Sequence, residues 1–484
     1  MQLSALTLGL TASGCSVVGR EINRSQRVET LEQATLPDGT NDRLWRVLNR
    51  AGYGPRPGEY QAAAELGFER WLEQQLEPEK IADRATDLMV GGFALYHSDL
   101  ASMASFDPDD GLKELIWSSL SRQIYSKRQL YEMMVEFWSD HFAIFPRKDR
   151  RLIYLKIWDD REVIRPHALA TFKDLVTASV YSPAMLHYLD NTRNFAEHPN
   201  ENYARELLEL HTLGVYGGYT QDDVMSVAGL LSGLTIRQNR SNAGQVYLNE
   251  GNHDASDQTI LSTSYAGSDG EEAIAQLIDD LCSHPSTAQH ISSKMVQRFV
   301  ADDPPSELID QVVQTYQQTD GDIKAMLRTI FHSVQFAHAP AKFKRPIQYV
   351  VSTCRALDVD VRPSRDLYSW FVQMGQVPFM WPRPDGYPDQ AEAWVSNQLP
   401  RWNFAHDLVS GGIDGAALDF ERLVGLNQED PLQTIASLLY GETLNAQMLE
   451  TFRQHMASGS NDNQRRRQEE VLSLMLASPD FQLI

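Results

Sequence analysis

Apolar residues along most of this chain recur at three- and four-residue intervals, the period of a helix that buries one face. The pattern predicts amphipathic helices over 41–50 and 57–75, the second entered through Pro55-Arg56-Pro57. Leu112 to Phe145 reads as one long helix rich in Leu, Ile, Met, Phe and Trp, ended by Pro146. Helices are predicted next over 151–164, 166–180, 200–213 and 221–233, then over 270–282, 286–300, 305–317, 321–334, 345–357 and 364–375. A last group covers 416–426, 430–439, 444–456 and 464–477. Short connections between such helices are what antiparallel packing produces.

The period changes between Leu234 and Thr263. Thr235-Ile236-Arg237-Gln238 and Gln245-Val246-Tyr247-Leu248 alternate apolar and polar about Asn239 to Gly244, the pattern of a small hairpin. Gln376 to Leu399 shows little periodicity but holds prolines, tryptophans and a tyrosine, so it reads as a long ordered loop. The fold class expected is mainly α: a large multi-helical domain over 41–484 with a small β-hairpin insertion near 235–262. Residues 1–40 are set apart as a signal-like segment and tether.

The densest chemistry lies in His198-Pro199-Asn200-Glu201-Asn202-Tyr203-Ala204-Arg205-Glu206-Leu207-Leu208-Glu209-Leu210-His211-Thr212-Leu213-Gly214. At about 100° per residue, Tyr203, Ala204, Leu207, Leu208, Leu210 and His211 share one side. Glu201, Asn202, Arg205, Glu206 and Glu209 share the other. Pro199 suits the first helical position and Gly214 the stop. One reading makes Glu201, Arg205 and Glu209 a solvated ion-pair ladder. The other sends Asn202, Glu206 and Glu209 together into a pocket. On that second reading Glu206, Glu209, Asn202, Glu201, Arg205 and Asp190 are the candidate catalytic residues. His141, Glu206, His253 and Asp254 are the candidate ligands, since imidazole with carboxylate suits a divalent transition metal such as zinc, iron or manganese. Burial could instead make an acid–base pair of the same groups. His141 beside Trp138 and Phe142 also fits a core histidine bonded to a carbonyl, and His211 lies on the apolar side. Trp381, Tyr387 and Trp394 would form either a stacking surface or a lid over the core.

No P-loop, GxGxxG, HExxH, GxSxG or CxxCH motif is present, so any site is assembled from dispersed residues. A net charge of −22 leaves no broad basic face for nucleic acid. An anionic polymer would be bound only where a local cleft reverses that sign. No run of 18 apolar residues predicts a membrane span. Met1 to Gly14 is apolar and small and precedes Cys15-Ser16, the pattern of a lipoprotein signal, although its first residues lack Lys or Arg. This predicts export to the periplasm or outer membrane, with Cys15 lipidated and Arg20 to Gly39 a tether. Cys282 and Cys354 either pair or stay as buried thiols.

The 198–214 segment, with Gly217-Gly218-Tyr219-Thr220-Gln221-Asp222-Asp223-Val224 after it, resembles the signature of a bacterial exported family, domain of unknown function 1800. Leu48-Asn49-Arg50-Ala51-Gly52-Tyr53-Gly54-Pro55, Phe137-Trp138-Ser139-Asp140-His141-Phe142, Tyr188-Leu189-Asp190-Asn191, His253-Asp254, the block from Lys294 to Pro304, Trp381-Pro382-Arg383-Pro384-Asp385-Gly386-Tyr387-Pro388 and Leu476-Ala477-Ser478-Pro479-Asp480-Phe481 resemble its other blocks. The resemblance implies a mostly helical, exported protein with no settled activity, and a co-encoded exported partner of a sulfatase/phosphatase-like family. Position 211 is often aromatic in that family and position 140 commonly Asn. The function expected is therefore an exported cell-envelope protein with a carboxylate- and histidine-rich pocket, either a metal-assisted hydrolytic or redox enzyme or a non-catalytic scaffold.

Overall fold

Capping chemistry fixes many of the helix starts. Thr171 with Asp174, and Thr220 with Asp223, form reciprocal capping boxes. Pro108, Pro183, Pro285, Pro346 and Pro431 open helices where the missing N–H costs nothing. A computed structural model describes residues 2–31, 43–237, 243–441, 446–457 and 464–484, with side chains placed from Gly14 on. It is mainly α-helical, and three two-stranded antiparallel pairs occur among the described residues. One apolar cluster runs from Leu31 to Phe481 and holds the helices together.

Several predicted helices are interrupted where the backbone finds other partners. Helix 57–75 divides at Gly67, which takes a φ of 79°. The stretch 112–145 is two helices, Pro108–Tyr125 and Gln129–His141. Between them Ser126 turns extended, and Asp83 accepts both its hydroxyl (2.7 Å) and the Lys127 N–H (3.1 Å). The predicted helix 151–164 is α over Arg150–Asp159 and widens to a π turn over Asp160–Ile164. Gln398–Val409 is a helix where none was expected.

The insertion holds two hairpins rather than one. Leu234–Ile236 pairs with Val246–Leu248, and Gln258–Ile260 with Thr263–Tyr265. The third pair, Asp360–Val361 with Ala416–Ala417, ties distant parts of the chain. Cys282 and Cys354 are both free and buried.

The N-terminal helix Gln2–Ser25 lies along Arg84–Gly91. Gly19 allows this approach, because a side chain there would stand 2.6 Å from the Ala85 carbonyl. Beyond it Arg24 pairs with Asp360, Arg27 with Asp358 at 2.9 Å, and the Leu31 N–H with the Leu426 carbonyl at 2.7 Å. The first part of the predicted tether is thus packed on the body. Residues 32–42, 238–242, 442–445 and 458–463 lie outside the described residues. No helix among the described residues is long and apolar enough to cross a membrane.

Candidate active site

The signature helix starts two residues later than its proline suggests. Asn200 is the cap, its side chain accepting the Asn202 N–H at 3.0 Å, and the helix runs Glu201–Glu206. Pro199 therefore precedes the cap. The next turn, Leu207–His211, is π-helical, a form that recurs at functional sites. Thr212 closes it by donating to the Leu207 carbonyl at 2.7 Å, and Gly214 reverses the chain at a φ of 83°. A helix end leaves carbonyls without partners. Here two imidazoles take them: His141 Nε2 meets the His211 carbonyl at 3.1 Å, and His290 Nε2 the Leu210 carbonyl at 3.2 Å.

Those contacts fix which nitrogens are free. With Nε2–H spent on a carbonyl, His141 presents the Nδ1 lone pair, and Lys294 Nζ donates to it at 2.9 Å. Burial pushes Lys294 down to about 8, with Arg298 pushing the same way against Asp140, Asp389 and Asp385. Burial and the nearby Lys294 also push His211 down to about 3, His290 to about 4 and His141 well below its usual value. At neutral pH the site thus holds three uncharged imidazoles around an ammonium that gives up its proton unusually easily.

Behind Lys294 lies a buried ionic network. Arg345 pairs with Asp140 at 2.9 Å and also with Glu136, which accepts the Tyr53 hydroxyl as well. Arg298 reaches Asp389 at 3.2 Å and Asp140 at 3.5 Å, while Lys342 pairs with Asp302 and lies 3.6 Å from Asp389. Lys294, Arg298, Lys342 and Arg345 thus face Glu136, Asp140, Asp302 and Asp389, a balance that compensates for desolvation. Asp389 is half-buried; desolvation pushes its carboxyl up, but Arg298 and Lys342 outweigh this and hold it well below the usual range. Burial pushes Asp140 the other way, helped by Glu136 and opposed by Arg345 and Arg298.

The loop predicted over 376–399 is a lid over this network. Gly386, at a φ of 73°, sits so close to the Asp140 carbonyl that any side chain would collide with it. Tyr387 and Trp394 are buried. The Tyr387 hydroxyl bonds the N–H (3.1 Å) and carbonyl (2.9 Å) of Val377, and Trp394 Nε1 donates to the Pro388 carbonyl at 3.0 Å. Trp381 stays half-exposed and holds Asp385 through Nε1 at 2.7 Å. Asp385 bears electrostatically on both Lys294 and Glu206. Glu206 is half-buried, and its carboxyl is pushed up by burial and then by Glu209.

The residues expected from sequence divide sharply. Glu206 and Glu209 interact, and the Tyr219 hydroxyl donates to Glu209 at 3.2 Å. Glu201 and Arg205 form the solvated pair of the first reading, at 2.8 Å, bridged by Gln221. Asn202 is exposed and donates to the Leu189 carbonyl at 3.2 Å. Asp190 sits at a left-handed φ of 61° and pairs with Lys148 at 2.9 Å. The four expected metal ligands do not come together. His253 has both ring nitrogens on carbonyls, Ser232 at 2.8 Å and Gly267 at 2.9 Å. Asp254 instead accepts from Ser256 and Gln258. No group of three or more His, Cys, Asp or Glu among the described residues is placed to hold a metal ion.

Sequence reasoning missed His290, Lys294 and Arg298 as a group. They stand at i, i+4 and i+8 on the helix Pro285–Phe299, a spacing that puts them on one face. Glu136 and Asp140 repeat the same spacing on Gln129–His141. The lid carboxylates Asp385 and Asp389 carry no such signal.

Together these elements define a large α-helical protein with a lysine–histidine cluster, buried at His141 and His211 and half-buried at Lys294 and His290, under a proline- and aromatic-rich lid. The chain belongs to the family described as protein of unknown function (DUF1800), whose model matches residues 46–483. No curated protein and no solved structure matches it.

Proposed function

We propose that the protein is an exported cell-envelope enzyme that performs acid–base, hydrolytic chemistry at the Lys294–His141–Glu206 site. The observation that carries this reading is the Lys294 Nζ–His141 Nδ1 contact of 2.9 Å, with the imidazole oriented by a main-chain carbonyl. Lys294 is drawn down towards neutrality and Glu206 is pushed up towards it. Two proton carriers displaced from opposite sides suit a base and an acid working at one pH. Lys294 in its amine form takes a proton, and Glu206 gives one. His141 is a positioning residue that holds the lysine.

Export rests on the lipoprotein-like pattern around Cys15. Cleavage before Cys15 would leave Gly19 and Arg24 to Leu31 docked, so a lipid anchor there would hold the folded body close to its membrane.

The test is incubation of the wild type, Lys294→Met and Glu206→Gln with envelope polysaccharide and peptidoglycan fractions, reading released fragments by mass spectrometry. Released fragments from the wild type should fall by about 100-fold or more in each variant, with melting temperatures close to the wild type. Equal release from all three proteins would sink the proposal.

A further inference from the structure

A second polar site lies outside the lysine–histidine cluster. A cavity of about 660 Å³ opens between the short helix Leu100–Met103, the start of Arg150–Asp159 and the residues Arg237, Ala243 and Gly244 that follow the strand Leu234–Ile236. Arg150, Arg151 and Arg237 line it, and no carboxylate does so among the described residues. On a chain of net charge −22 this is a local reversal of sign. Neighbouring Arg147, by contrast, is paired with Asp109 at 3.1 Å.

Helix stability does not explain Arg150 and Arg151, and the setting of Arg237 orients its guanidinium. Arg150 and Arg151 occupy the first turn of a helix, where the dipole is positive and a cation costs a few tenths of a kcal/mol or more. Arg237 stacks on Tyr247, its guanidinium carbon 4.2 Å from the ring centroid. Stacking of that kind fixes the plane of the fork and leaves its N–H edges for a bidentate oxyanion.

The floor is of a different character. Leu100, Ala101, Ala104 and Leu155 are apolar. Gly244, at a φ of 82°, allows the hairpin to press against Leu100, where a side chain would collide. Tyr154 presents its ring, held by its hydroxyl on the Phe106 carbonyl at 2.6 Å. The carboxylate of Asp107 bears on Tyr154 electrostatically, but it accepts the Asp109 N–H at 2.9 Å as a helix cap.

We propose that this groove binds an anionic polysaccharide: sugar rings lie on the apolar floor and Tyr154, and their sulfate or carboxylate groups meet the three arginines. This site is independent of the acid–base reading above, since none of its residues belongs to the Lys294 cluster.

The probes are dextran sulfate, polygalacturonate and neutral dextran, titrated calorimetrically into the full chain at low and high salt. The wild type should bind at least one polyanion, more weakly at high salt, and should ignore neutral dextran. Which polyanion binds tells whether sulfate or carboxylate is recognised. Arg151→Ala with Arg237→Ala should weaken binding by about tenfold or more, with the melting temperature unchanged. Should the double variant fold poorly, Arg237→Gln alone, on an exposed strand end, should still lose about threefold. The proposal is overturned if neither polyanion binds, if neutral dextran binds as well, or if the folded variants bind like the wild type.

Discussion

His211 is the least satisfied residue of the site. It has no accessible surface, and neither ring nitrogen has a hydrogen-bond partner among the described residues. Its ring lies 4.9 Å from that of Phe142 and 6.5 Å from that of Tyr203, so its surroundings are those of an aromatic core residue. An unpaired buried polar atom costs about 1–3 kcal/mol. His211→Phe should therefore stabilise the protein by about 1 kcal/mol at neutral pH, once the slightly larger ring is accommodated. The pH dependence should change as well. The folded ring titrates at about 3, against about 6.5 in an unfolded chain. A depressed base of this kind contributes stability that is fully present above the unfolded value and is lost as pH falls towards the folded one. At about 1.4 kcal/mol per unit, His211 alone removes roughly 3 kcal/mol between about pH 6.5 and pH 4. Urea unfolding near pH 7 and near pH 4.5 checks both claims. A phenylalanine variant that is weaker at neutral pH, or equally acid-sensitive, would show that the ring nitrogens do have partners.

At the scale of elements, the lid is held by a backbone that only glycine provides. Gly386 combines a φ of 73° with direct approach to the Asp140 carbonyl. Gly386→Ala must both strain the turn and push the loop outward, at about 2 kcal/mol or more. Its melting temperature should drop, and protease should cut within 376–399 at a rate the wild type does not show. Unchanged melting and cleavage would mean that the loop is not a clamp. The same element shows how far the sequence could be read. Its prolines and aromatics marked an ordered loop, and burial of Tyr387 and Trp394 makes it a lid. That Asp385 and Asp389 face Lys294 follows only from packing, which no local period encodes. Helices with one apolar side were legible, since period and packing agree there. Helix Gln398–Val409 was not, because Pro400 stands in its first turn and Leu399 and Trp402 lie exposed on its outer side. The π turn Leu207–His211 was likewise hidden. It depends on His141 and His290 taking the Leu210 and His211 carbonyls, and those histidines come from elsewhere in the chain.

Across the whole molecule, one carboxylate joins three remote segments. Asp358, at a left-handed φ of 53° and nearly buried, pairs with Arg27 at 2.9 Å, Arg422 at 3.0 Å and Arg56. These arginines come from the N-terminal strap, the turn after the first body helix, and a helix near the C-terminal end. The arrangement is asymmetric, with three cations sharing one anion. Arg27→Ala leaves Asp358 two partners and relieves like-charge crowding, so it should cost only about 1 kcal/mol. Asp358→Asn keeps the shape but leaves three guanidiniums facing one another without their counterion, at about 3 kcal/mol or more. If the carboxylate is the joint, denaturant midpoints should therefore rank wild type, Arg27→Ala, then Asp358→Asn. Protease should release the strap first in the Asp358 variant. Equal effects of the two changes would instead place the strap's hold in its apolar contacts, Gly19 on Ala85 and Leu31 on the core, and the ion cluster would only accompany it.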